Sequence, residues 1–107
     1  MSDTFEKIKR LIANGSVRIS EHGYDELMAD GILSRDVVNG ILDGIVVEDY
    51  PTYPKGPCAL VLQKDRQGSP IHVVWGIPTG CSEPAVLVTA YRPDPAQWED
   101  GYKRRRA

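Results

Sequence analysis

Cysteine is scarce in this chain: 107 residues hold two, Cys58 and Cys81, with no CxxC spacing and no further thiol. That argues against a disulfide scaffold or a zinc ribbon and leaves the reading of two reduced, small core residues. Long apolar runs are missing, so no segment reads as a membrane span, and Met1 to Arg10 is too charged for a signal peptide. The expected location is the cytoplasm. An excess of one charge is missing too. Thirteen Lys and Arg against fifteen Asp and Glu give a formal net charge of −2, which advertises no polyanion partner. A Gly-rich phosphate loop, a Walker motif, a dinucleotide fingerprint and a visible nucleophile constellation are all lacking, so no cofactor is expected.

What is present is an ordinary globular composition, 41% hydrophobic and 26% charged, at a length that makes residues 1–107 one domain. Phe5, Ile8, Leu11 and Ile12 follow helical spacing behind a cap at Asp3 or Thr4, and Asn14-Gly15 ends that helix. Val17 to Ile19 reads as a brief extended link. Ser20 caps a second helix, Glu21 to Ala29, with Tyr24, Leu27 and Met28 on one side. Ser34 caps a third, with Val37, Val38, Ile41 and Leu42 turned inward. From Ile45 the period becomes strand-like: Ile45–Tyr50, Cys58–Asp65, Pro70–Ile77 and Ala85–Tyr91, with a tight turn at Arg66-Gln67-Gly68. The last two strands are apolar on both faces, which suits central strands covered by helices. Pro95 to Trp98 reads as one helical turn. The fold class is α+β: two to three N-terminal helices, then a mainly antiparallel four-stranded sheet.

Two histidines sit in unlike settings. His22 falls in the first turn of the second helix, where free backbone N–H groups favour a nearby anion. It reads either as a general base beside a phosphate or as a polar helix-start residue bonded to the preceding strand. His72 lies in a strand, on the face shared with Val74 and Gly76, while Ile71, Val73 and Trp75 take the other. It is either a satisfied structural group or a member of a site on the open face of the sheet. No ligand spacing supports a metal held by the two.

Tyr91 and Arg92 end the fourth strand on opposite faces, and Arg92 can fork onto a phosphate or pair with Asp94. Among the aromatics, Tyr50, Tyr53, Trp75 and Trp98 can stack on bases or simply pack. Glu21, Asp25, Glu26, Asp30 and Asp36 make the second helical stretch acidic. Lys103-Arg104-Arg105-Arg106 gives a basic tail, about 99–107, which is either solvated or a phosphate-contacting arm that folds back over a site.

These blocks resemble a bacterial domain-of-unknown-function family, the one numbered 4258. The matching stretches are Val17 to His22, Asp30-Gly31-Ile32 with Asp36-Val37-Val38, and Glu48 to Pro51. Gly56-Pro57-Cys58, Pro70 to Val74, and Thr89 to Asp94 with Trp98 complete them, over about Ser16 to Arg106. The resemblance implies a fold related to the RelE and BrnT toxins of bacterial toxin–antitoxin systems. It further implies metal-independent RNA cleavage by the ribose 2′-hydroxyl, and a cognate antitoxin of the zinc-ribbon or DNA-binding kind. On it, His22, His72, Tyr91 and Arg92 are the catalytic candidates. Arg18, Trp98, Lys103, Arg104 and Arg105 are the RNA-contacting candidates. One departure stands out: the family commonly has a basic residue four positions after the first histidine, and this chain has Glu26, which repels phosphate.

The expected function is therefore a toxin-like endoribonuclease. The alternative is a catalytically inactive protein-binding module of the same fold, favoured by the acidic second helix.

Overall fold

Ser2 opens the first helix, its hydroxyl accepting the Phe5 amide at 3.0 Å, one position before the expected cap. That helix, α1 (Asp3–Ala13), buries Phe5, Ile8 and Ile12 along one side, and a left-handed Gly15 (φ +77) turns the chain out of it. The structure is a computed structural model, described for residues 2–107. Val17–Ile19, expected as a link, is a strand, β1. Ser20 caps α2 (Glu21–Ala29) as the sequence indicates, accepting the Gly23 amide at 2.9 Å. Only Leu27 of the three expected apolar residues on α2 is buried; Tyr24 and Met28 face solvent. Helix α3 (Ser34–Asn39) has Leu33 at its cap position and no side-chain cap, so Ser34 is its first helical residue rather than its cap. A 3-10 turn (Gly40–Asp43) follows, burying Ile41 and leaving Leu42 exposed.

Four longer strands follow: β2 (Ile45–Tyr50), β3 (Cys58–Lys64), β4 (Pro70–Gly76) and β5 (Ala85–Tyr91). The sheet has five strands in the order β1-β5-β4-β3-β2, antiparallel throughout except that β1 runs parallel to β5. Three residues with a partner strand far along the chain leave little trace in sequence, which is why β1 reads as a link. Two bulges, at Val47 and Val88, shift the register of β2 and β5.

One face of the sheet packs against the helices. Val61, Ile71, Val73, Trp75 and Leu87 meet Phe5, Ile8, Leu27, Val37 and Ile41 in a single core. Within it the Trp75 indole N–H donates to Gln63 Oε1 at 2.8 Å, and Gln63 Nε2 donates to the Val37 carbonyl at 2.7 Å, so the buried amide is satisfied at both ends. Gly23 lies against Leu87 so closely that a Cβ there has no room, which sets how near α2 approaches β5.

The other face is not covered by helices, contrary to the expectation for β4 and β5. A small hairpin closes one part of it, made of β6 (Trp98–Glu99) and β7 (Arg104–Arg105). The turn between them carries Asp100, Gly101 and Tyr102 at φ +53, +64 and +69. The basic tail is thus an ordered hairpin. Pro95–Trp98 forms the expected single turn, closed by the Trp98 amide on the Asp94 carbonyl at 3.2 Å. Cys58 is buried and Cys81 exposed, both as free thiols, so the expected burial holds for Cys58 alone, and it lies on the face away from the main core. Among the described residues, no helix is long and apolar enough to cross a membrane.

Candidate functional site

Strand alternation decides which side chains reach the uncovered face. Opposed residues share a face, so the pairs His72–Tyr91, Leu60–Glu48 and Cys58–Tyr50 put Glu48, Tyr50, His72 and Tyr91 on it together. The hairpin brings Trp98 and Arg105 over them.

His72 is the centre of this group and is fully buried. Its Nε2 lies 2.8 Å from the Tyr102 carbonyl oxygen, its Nδ1 3.1 Å from the Tyr91 hydroxyl. A carbonyl only accepts, so Nε2 carries the proton, and Nδ1 of the neutral ring accepts from Tyr91. The Trp98 ring meets the imidazole edge-on, with centroids 4.3 Å apart. Burial holds the imidazole below its ordinary value, and the nearby Arg105 guanidinium adds to this. With both ring nitrogens engaged, His72 holds Tyr91 and the hairpin in place rather than facing solvent.

Around it lies a more open set. Arg105 donates from Nε and Nη2 to Glu48 at 2.7 and 3.1 Å, and its guanidinium also covers the Trp98 ring at 4.7 Å. The Tyr50 hydroxyl donates to the same carboxylate at 2.6 Å. The Arg105 bond holds the Glu48 carboxyl below the usual carboxylate range, and the Tyr50 phenol is pushed up because its proton serves Glu48. Burial pushes the Tyr91 phenol up. A carboxylate kept ionised, two phenols kept protonated and a guanidinium thus share one partly open spot.

Beside this spot is a cleft of about 450 Å³ on the same face. Its floor is Val74, Gly76, Val86 and Val88, with Tyr50 and Tyr53 as aromatic walls. Arg18 and Lys55 stand at its rim, and Cys58 contributes a thiol that burial pushes up. The wall at residues 53–56 is pinned by the Thr79 amide on the Lys55 carbonyl at 3.1 Å. Gly56 (φ +121) touches the Ile77–Thr79 backbone so closely that no side chain fits there.

The remaining candidates lie apart from this group. His22 is exposed on α2, in the helical layer, with Glu26 Oε1 at 3.7 Å. It shares no cleft with His72. Arg92 points away from Tyr91 and pairs with Asp65 Oδ2 at 3.1 Å rather than with Asp94, while its amide donates to Asp30 at 2.9 Å. Arg104 pairs with Glu99 at 3.0 Å, and Lys103 is exposed in the hairpin turn. Trp98 is buried at the hairpin's base. Among the described residues, no three His, Cys, Asp or Glu side chains gather closely enough to hold a metal ion.

Of the expected site residues, the fold therefore assembles His72, Tyr91, Trp98 and Arg105, with Arg18 at the neighbouring cleft. Glu48, the acid of the group, was visible only as part of the Glu48–Pro51 block. Its i, i+2 spacing with Tyr50 on a strand was the signal that the two share a face.

The model of a family described as a domain of unknown function (DUF4258) matches residues 19–92. The match covers β1's end through β5 and stops short of the hairpin, a narrower span than Ser16 to Arg106. No curated protein and no solved structure matches the chain.

Proposed function

The chain belongs to the DUF4258 family, and on that footing we propose that it is a toxin-like endoribonuclease whose site is the uncovered face of the sheet. The observation that carries the reading is the convergence of Glu48, Tyr50, Tyr91 and Arg105 around the buried His72. The mixed α+β fold with a mainly antiparallel sheet supports the reading, whose RelE- and BrnT-like form comes from the resemblance.

The chemistry such a group suits is transphosphorylation. Glu48 accepts the proton of a ribose 2′-hydroxyl as its oxygen attacks the adjacent phosphorus. Arg105 stabilises the charge that builds on the phosphorane. Tyr50 gives its proton to the departing 5′-oxygen and recovers one from Glu48. The products are a 2′,3′-cyclic phosphate and a 5′-hydroxyl end, and the step uses this chain's side chains alone. His72 is a positioning residue in this scheme. The cognate partner is an antitoxin that masks the face.

Induced expression in a bacterial host tests the reading. Wild type is expected to arrest growth, and Glu48→Gln to relieve the arrest at equal protein level. Arrest that persists in Glu48→Gln would remove the site.

A second reading is a binding module without catalysis. Its support is the exposure of Tyr24 (55%) and Met28 (67%) one turn apart on an acidic helix, a surface that fits a basic, amphipathic segment. Normal growth on induction, with tight binding of the adjacent gene product, would favour it.

A further inference from the structure

Apart from Tyr50, the residues lining the cleft beside Glu48 take no part in the chemistry above, and they form a largely apolar hollow of about 450 Å³ on the uncovered face. We propose that it is a nucleobase subsite, taking the base next to the scissile phosphate; the assignment rests on the ribonuclease reading.

Three observations point to that occupant. First, its surface suits a flat ring. The valine and glycine floor is apolar, and Tyr50 and Tyr53 offer aromatic faces, which stack on any base. Second, its charge suits a phosphodiester. Arg18 and Lys55 line it, and among the described residues none that lines it is acidic. In a chain of net charge −2 that is a local reversal of sign. Third, it is continuous with the reacting group. Tyr50 lines the cleft and bonds to Glu48 through its hydroxyl. Glu48 and Tyr50 are two residues apart on one strand, about 6.6 Å of rise, comparable with the reach from phosphate to base within one nucleotide.

The cleft is also built in advance. Gly56 lets the 53–56 wall press on the Ile77–Thr79 backbone, and the Thr79–Lys55 bond fixes it, so little ordering is required when a ligand enters. Sequence preference would come from stacking and shape, since the floor offers few hydrogen-bonding groups. Purines, with the larger face, should bind better than pyrimidines.

An all-deoxy tetranucleotide tests this apart from catalysis, because it has no 2′-hydroxyl to attack. Titrated into the full chain, it is expected to shift the methyl resonances of Val74, Val86 and Val88. Tyr53→Ala should weaken binding roughly tenfold or more, the scale of base–aromatic stacking. Val88→Trp, which plugs an exposed part of the cleft, should do the same; both variants keep Glu48, Tyr50, Tyr91 and Arg105. RNA cleavage with silent cleft methyls, and unchanged binding in both variants, would overturn the subsite and leave the nuclease standing. Cleft shifts without RNA cleavage by wild type would keep a nucleotide site and remove the nuclease. Shifts from a synthetic amphipathic peptide, and none from the tetranucleotide, would give the cleft to a protein partner and overturn the proposal.

Discussion

The Nε2 of His72 lies 2.8 Å from the carbonyl oxygen of Tyr102, a residue held at φ +69, so a buried imidazole and a left-handed turn fix one another. A tyrosine in that backbone region persists only where its surroundings hold it. Here the holding groups are the His72 bond, the Trp98 ring against the imidazole, and the Arg105–Glu48 pair that ties the second hairpin strand to the sheet.

Acid should therefore loosen the hairpin first. Burial places the folded His72 value below its ordinary 6.5. The unfolded chain then takes up a proton more readily than the folded one, so the stabilisation is full above about pH 6.5 and is lost as pH falls through the folded value. The slope contributed by one such group is at most about 1.4 kcal/mol per pH unit. Urea unfolding across pH 7 to 5 measures it, and His72→Gln should flatten that limb. Glu48, also held low, loses its contribution only as pH falls below its ordinary 4.5, a separate window.

Trp98 anchors the hairpin. Trp98→Ala is expected to destabilise by about 3 kcal/mol, the lower end for a buried large aromatic, because its cluster lies outside the main core. Amide exchange should show the loss concentrated in residues 98–105. Uniform loss across the sheet would mean the hairpin is not an independent layer.

The Gln63 amide is buried between Trp75 and Val37. Gln63→Leu leaves the indole N–H and the Val37 carbonyl unpaired, at about 1–3 kcal/mol for each. Thermal or urea unfolding reads this directly; an unchanged midpoint would show that water replaces the amide.

The exposed candidates should behave differently. His22→Ala removes a solvent-facing ring that lies 3.7 Å from Glu26, so stability is expected to change by within about 0.5 kcal/mol. Growth arrest should persist in this variant. Relief of the arrest by His22→Ala, with the protein still folded, would move the chemistry to α2.

The change from helical to strand period near Ile45 was legible in the sequence because the β-branched run Ile45–Val47 follows Asp43-Gly44, and the split of Ile71, Val73 and Trp75 from His72 followed from strand alternation. The parallel strand β1 was not, because Val17–Ile19 pairs with residues 85–87 and nothing local records that. Nor was the exposure of Tyr24, Met28 and Leu42: their spacing is helical, but Leu27 and Ile41 take the core contacts of those segments and leave the three in solvent. The hairpin had a sign in Asp100-Gly101, a dipeptide that favours tight turns, set between two short runs that pair. The cross-chain meeting of Glu48 and Arg105 had none, since it depends on where the hairpin lands.

The most direct test of the ribonuclease is in vitro cleavage of a labelled single-stranded RNA by purified protein, with chelator present, comparing wild type with Glu48→Gln. Wild type should give 2′,3′-cyclic phosphate and 5′-hydroxyl ends, and Glu48→Gln should be slower by about 10²–10⁴-fold, the usual contribution of a general base. Gln keeps an oxygen that accepts from Arg105 and Tyr50, so the variant should remain folded, and a urea midpoint close to wild type would show the loss to be chemical. RNA left intact by wild type, or cut equally fast by Glu48→Gln, would contradict the assignment.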